Sequence, residues 1–135
     1  MAEDNQRVLW IMRFLSALVL LATGLIHLYL VFNGTGGVLG VAFVLNGVAG
    51  VVLAVGMLLL RGRLLQLTTV LSLLFLIATL VALILALTVS LFGITESWDR
   101  PLVPQAVIVE AIGIVVLGIT TALVLRTPNV SATTR

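Results

Sequence analysis

Four apolar runs, at residues 14–32, 38–60, 64–92 and 103–125, fill most of the 135-residue chain, and each is long enough to cross a bilayer. A helix rising ~1.5 Å per residue needs roughly 20 apolar residues to span the ~30 Å hydrocarbon layer, whereas a barrel strand needs only ~10. Backbone polar groups in lipid must be satisfied internally, so runs of this length predict helices. The segments between them are too short to fold separately. The expected fold class is therefore all-α: a four-transmembrane-helix antiparallel bundle, with helices at about 8–32, 38–60, 64–92 and 103–126. It forms a single membrane domain over residues 1–126. Residues 127–135, with Pro128 and several Ser and Thr, read as a flexible C-terminal tail.

Composition narrows the function classes. Hydrophobic residues make up 61% and charged residues 9%, against about a quarter charged in soluble domains, which leaves no room for a soluble unit. The absence of cysteine excludes disulfides, thiol redox chemistry and thiolate metal sites. The seven basic residues are all arginines placed at helix ends rather than in one patch, so nucleic-acid binding has no support.

Those arginines also predict orientation. Arg7 and Arg13 precede the first run, Arg61 and Arg63 flank the second connection, and Arg126 and Arg135 follow the last run. The first connection has none, and the third sets Arg100 beside Glu96 and Asp99. The positive-inside rule then places both termini and the Arg61-Gly62-Arg63 turn in the cytoplasm of a multi-pass cell-membrane protein. The first apolar run is longer than a signal-peptide core and lacks a small-residue cleavage pattern, so it reads as a retained helix. Trp10 and Trp98 fall at opposite interfaces, as aromatic anchors do.

Small residues at four-residue spacing mark faces where membrane helices approach closely. Such faces are Ser16, Thr23, Gly24 and His27 on the first helix, and Ala42, Asn46, Gly50 and Ala54 on the second. Ala78, Ala82, Ala86 and Ser90 form one on the third, and Ala106, Glu110 and Gly113 on the fourth. Helix rise puts His27 about 8 Å, Asn46 about 12 Å and Glu110 about 10 Å from the outer helix ends. Polar residues at such depth face the protein interior and find partners, so His27, Asn46 and Glu110 are expected to form one intramembrane polar cluster. Tyr29, Asn33, Glu96 and Asp99 are the candidate outer entrance. Such a cluster can fix helix register, or it can hold a ligand or exchange a proton, since burial brings carboxyl and imidazole groups into the neutral pH range. One His and one Glu are too few ligands for a metal within one copy, and bis-histidine haem ligation would need a His27 pair across a dimer axis. No cofactor is expected.

The segments Gly24-Leu25-Ile26-His27-Leu28, Gly40-Val41-Ala42-Phe43-Val44-Leu45-Asn46-Gly47 and Phe92-Gly93-Ile94-Thr95-Glu96, with Val109-Glu110, resemble a group of small, uncharacterised four-helix integral membrane proteins of actinobacteria. A looser similarity runs to the DoxX-like four-helix membrane proteins, some of which are associated with quinone or thiosulfate oxidation. The resemblance implies an integral membrane protein and carries over no catalytic residues. Small multidrug-resistance transporters hold a membrane-embedded glutamate in their first helix, where this chain has His27, and the Thr-rich signature of fluoride channels is missing. No catalytic triad, phosphate-cradling loop or nucleotide motif occurs among the twelve glycines. The expected role is an accessory or structural component of the cell envelope or of a membrane complex, surrounded by lipid and acting as a homo-oligomer or subunit rather than as an enzyme. The alternative is proton-linked transport, or small-molecule or quinone binding, at His27, Asn46 and Glu110.

Overall fold

A computed structural model describes residues 2–127 and is all-helical: α1 (Ala2–Phe32), α2 (Gly37–Leu59), α3 (Gly62–Thr88) and α4 (Val103–Arg126). Each helix is long and apolar enough to cross a membrane. Apart from Thr127, the predicted flexible tail lies outside the described residues.

Two helix ends depart from the sequence reading. α1 begins at Ala2 rather than near residue 8, because the polar start supplies Glu3 and Asp4 to the first turn, where acids favour the positive end of the helix dipole. α3 stops at Thr88 rather than at 92. Its apolar character continues through Leu91 and Phe92, but Ser90, Phe92 and Gly93 take positive φ of 71°, 51° and 81°. Leu91 and Ile94 exchange two backbone hydrogen bonds of 2.8 Å across that turn. The Glu96 amide then bonds back to the Ala86 carbonyl at 2.9 Å, folding the connection over the end of α3.

The distribution of side chains is the reverse of that in a soluble protein. Of the ten largest fully buried side chains, six are polar: Glu110, Thr23, Thr69, Thr120, Ser16 and Ser72. Leu25, Val52, Leu67, Ile108 and Val115 are each more than half exposed. Outward apolar side chains with small and polar residues between helices suit a hydrocarbon surround. Most of the buried hydroxyls bond carbonyls of their own helices, as Thr69 Oγ1 does to Leu65 O at 2.6 Å and Ser72 Oγ to Thr68 O at 2.7 Å, whereas Thr23 Oγ1 has no partner among the described residues.

α1 packs against both α2 and α4, and α3 against α4. The α1–α2 seam is a backbone contact made possible by glycine: a Cβ on Gly24 would lie 2.9 Å from Gly47 O, and one on Gly50 would lie 2.9 Å from Leu20 O. Gly113 gives α4 the same closeness to Val19 and Leu76. Near the start of α1, the buried Arg13 side chain reaches the end of α2. Its Nε donates to Met57 O at 2.8 Å, and its Nη2 donates to Leu60 O at 2.8 Å and Leu58 O at 3.3 Å. Trp10 lies 4.5 Å from the guanidinium carbon. Ser16 and Thr120, 2.9 Å apart, join α1 to α4 in the same region. α2 and α3 touch sparsely, around Gly56 and Met57 on one and Thr68 and Thr69 on the other. Beyond that contact they part, and the space between them is the main cavity.

Candidate functional site

The opening between α2 and α3 is an apolar cavity of about 830 Å³, within the range of small-molecule sites. Its walls follow from the small-residue faces. Ala42 and Asn46 on α2, and Ala78, Ala82 and Ala86 on α3, lie along it, so these parts of both stripes border space. Further along α2 the same stripe, at Gly50 and Ala54, is buried. Phe43 and Phe75 add aromatic surface. The 89–102 connection borders the far end with Leu91, Ile94, Glu96, Arg100 and Leu102.

His27 and Asn46 both line this cavity. The two are brought close by the Gly24–Gly47 contact and by the edge of the His27 ring against Phe43, with centroids 4.9 Å apart. His27 Nδ1 lies 2.8 Å from Thr23 O. A carbonyl only accepts, so Nδ1 donates and Nε2 keeps the lone pair of the neutral ring. Asn46 Oδ1 is buried with no hydrogen-bond partner among the described residues. Glu110 is 1% exposed and is not a wall residue: it sits behind Thr79 and Ala106, which are. Glu110 Oε2 has no hydrogen-bond partner among the described residues, and the Thr79 hydroxyl donates to Leu76 O of its own helix at 3.0 Å.

Of the three expected cluster residues, His27 and Asn46 line the cavity and Glu110 does not, and no hydrogen bond joins them to one another. His27 engages its own helix, and Asn46 and Glu110 each keep an unmatched oxygen. The reason is steric as well as chemical: an i−4 carbonyl lies within reach of the imidazole before any side chain across the interface does.

The four entrance candidates separate. Glu96 lines the cavity, its side chain 8% exposed, and accepts a 2.7 Å hydrogen bond from Arg100 Nη1 in the one ion pair among the described residues. Tyr29 instead belongs to a shallower apolar groove with Leu25, Phe32 and Leu102. Asn33 is exposed, its Nδ2 donating to Tyr29 O at 2.8 Å at the end of α1. Asp99 is exposed in a turn where its amide meets Ser97 Oγ at 3.3 Å. Sequence reasoning missed Thr79, Phe43 and Arg100. Their positions carried a signal only in part: Arg100 stands four residues after Glu96, the spacing of a local ion pair, and Phe43 one turn before Asn46.

No group of three His, Asp or Glu side chains converges on one point among the described residues. No protein-family profile, curated protein or solved structure matches the chain.

Proposed function

We propose that this is a multi-pass cell-membrane protein that holds a lipophilic small molecule in the cleft between α2 and α3. The cleft itself carries the reading: an apolar volume of about 830 Å³ reaching inward to His27 and Asn46, polar groups whose hydrogen-bonding capacity the protein leaves partly unused. Unmatched buried polar atoms cost about 1–3 kcal/mol each, so a bound molecule that meets them has a source of affinity beyond burial of its tail. The helices run antiparallel in succession, with both termini and the Arg61–Arg63 turn in the cytoplasm, and the cleft lies toward the opposite side of the membrane. Supporting that arrangement, Arg13 near the start of α1 meets the end of α2, while the arginines of the second connection and of the end of α4 are exposed.

Purification in mild detergent followed by native mass spectrometry tests the binding reading. A retained adduct of lipid or small-molecule mass, lost on substituting Ala82→Phe across the cleft, is the expected result. A bare protein mass from every mild detergent would reject it.

A second reading, an accessory or structural role as a homo-oligomer or a subunit of a membrane complex, is favoured by a different observation. The rim of the cleft presents Val38 and Leu45, both more than 60% exposed, to whatever lies beside it. A partner helix seated there would appear in the same spectra as an oligomer or a co-purifying chain.

A further inference from the structure

The chemistry of the cavity's inner end specifies the head of the ligand. His27 Nδ1 is committed to Thr23 O, leaving Nε2 as a lone-pair acceptor on a wall residue. Asn46, on the same wall, has an amide that makes no side-chain hydrogen bond; an amide brings both donor and acceptor capacity. A hydroxyl matches this pair, because one O–H can donate to His27 Nε2 while its oxygen accepts from Asn46 Nδ2, with only the enclosed Oδ1 left unmatched. A ketone or quinone carbonyl meets the amide alone and sets its own lone pairs against Nε2. A carboxylate or phosphate head would bury a negative charge with no free cation among the described residues of the lining, whose one arginine, Arg100, is already paired with Glu96.

The shape specifies the rest. The wall runs along α2 from Val38 to Ala49 and along α3 from Phe75 to Ala86, about 16 Å at the helical rise, or roughly half the hydrocarbon thickness. Its lining away from His27 and Asn46 is mainly alanine, leucine, isoleucine, valine and phenylalanine until the Glu96–Arg100 pair, interrupted by Thr35 and by Thr79, whose hydroxyl is taken up by Leu76 O at 3.0 Å. Leu45 and Phe92, 65% and 95% exposed, stand on its open sides, so the occupant shares the space with lipid.

We propose, on the reading that the cleft binds a ligand, that this ligand is a neutral, single-tailed lipophile with a hydroxyl head, held head-inward between His27 and Asn46. The tail lies along the alanine faces of α2 and α3. Head-inward binding distinguishes it from an ordinary phospholipid, whose head stays at the interface.

The test compares two probes of the same apolar body, dodecylphenol and its methyl ether, binding to the full chain in nanodiscs. The phenol is expected to bind about tenfold more tightly, the yield of one net hydrogen bond. That preference is expected to vanish in His27→Phe and Asn46→Leu while the ether affinity persists, which also reports that each variant remains folded. Equal affinity of the two probes for the wild-type chain overturns the hydroxyl assignment and leaves the cleft reading standing. Binding of neither overturns both. A tenfold preference that survives in both variants places the hydroxyl elsewhere and overturns the proposal.

Discussion

Replacing Gly50 with alanine adds a single methyl group at a backbone-to-backbone contact of the α1–α2 seam. Its Cβ would lie 2.9 Å from Leu20 O and 3.0 Å from Gly24 Cα, both backbone atoms, whereas ordinary contact begins at 3.4 Å. No rotamer change can relieve a clash with backbone, so the helices must separate by about 0.5 Å. A gap of ~0.5 Å forfeits about a quarter of each contact's ~0.1–0.2 kcal/mol, which over roughly 40 atom contacts along the seam amounts to about 1–2 kcal/mol. Alanine's better helix propensity returns up to ~1 kcal/mol, and this term must be removed from the comparison. Gly118→Ala on α4 does so, since a Cβ there meets nothing within 4 Å and receives the propensity gain alone. Unfolding of both variants by a denaturing detergent, followed by circular dichroism in mixed micelles, should place Gly50→Ala about 1–2 kcal/mol below Gly118→Ala. Equal stability, or the reverse order, would show that α1 and α2 do not meet backbone to backbone, and the placement of His27 beside Asn46 would lose its basis.

Arg13→Met should lower stability by about 2–3 kcal/mol, as it removes a charged fork from three carbonyls at the end of α2; Arg13→Lys should recover only part, since an ammonium lacks the fork geometry, and the same detergent titration reads both. Ser16→Ala and Thr120→Val, each alone and together, should give a coupling of about 0.6 kcal/mol in a double-mutant cycle; additive effects would mean that the 2.9 Å contact contributes nothing between helices. Glu96→Gln should change stability by less than about 1 kcal/mol, because its partner Arg100 is half exposed, and a larger loss in thermal denaturation would contradict an ion pair screened on its arginine side.

The helices were legible in the sequence because lipid sets one demand, a sufficient apolar length, and four runs meet it. The end of α3 was not, since Leu91 and Phe92 prolong the apolar pattern while the helix is broken by left-handed backbone at Ser90 and Phe92, which neither residue type announces. The stripes on α1 and α4 become buried contacts at Ser16, Thr23, Gly24, Ala106, Glu110 and Gly113. On α2 and α3 the same kind of stripe borders a cavity, because small residues permit close approach without requiring it, and whether a neighbour arrives depends on the other helices. His27 and Asn46 line one cavity. The direct bonds expected among His27, Asn46 and Glu110 are absent because backbone carbonyls compete for the imidazole and Thr79 stands beside the carboxyl. Arg13 read as an orientation marker, and its contact with α2 emerges only when the two helices are side by side.

Since the natural chain contains no cysteine, a single nitroxide label at Leu45→Cys, on the rim of the cleft, can report what enters between α2 and α3 in liposomes. Electron paramagnetic resonance should find the label colliding readily with oxygen and little with a water-soluble nickel reagent, with oxygen collisions falling when dodecylphenol is added. Free access of the nickel reagent, or collision rates indifferent to the lipophile, would contradict a lipid-facing binding cleft.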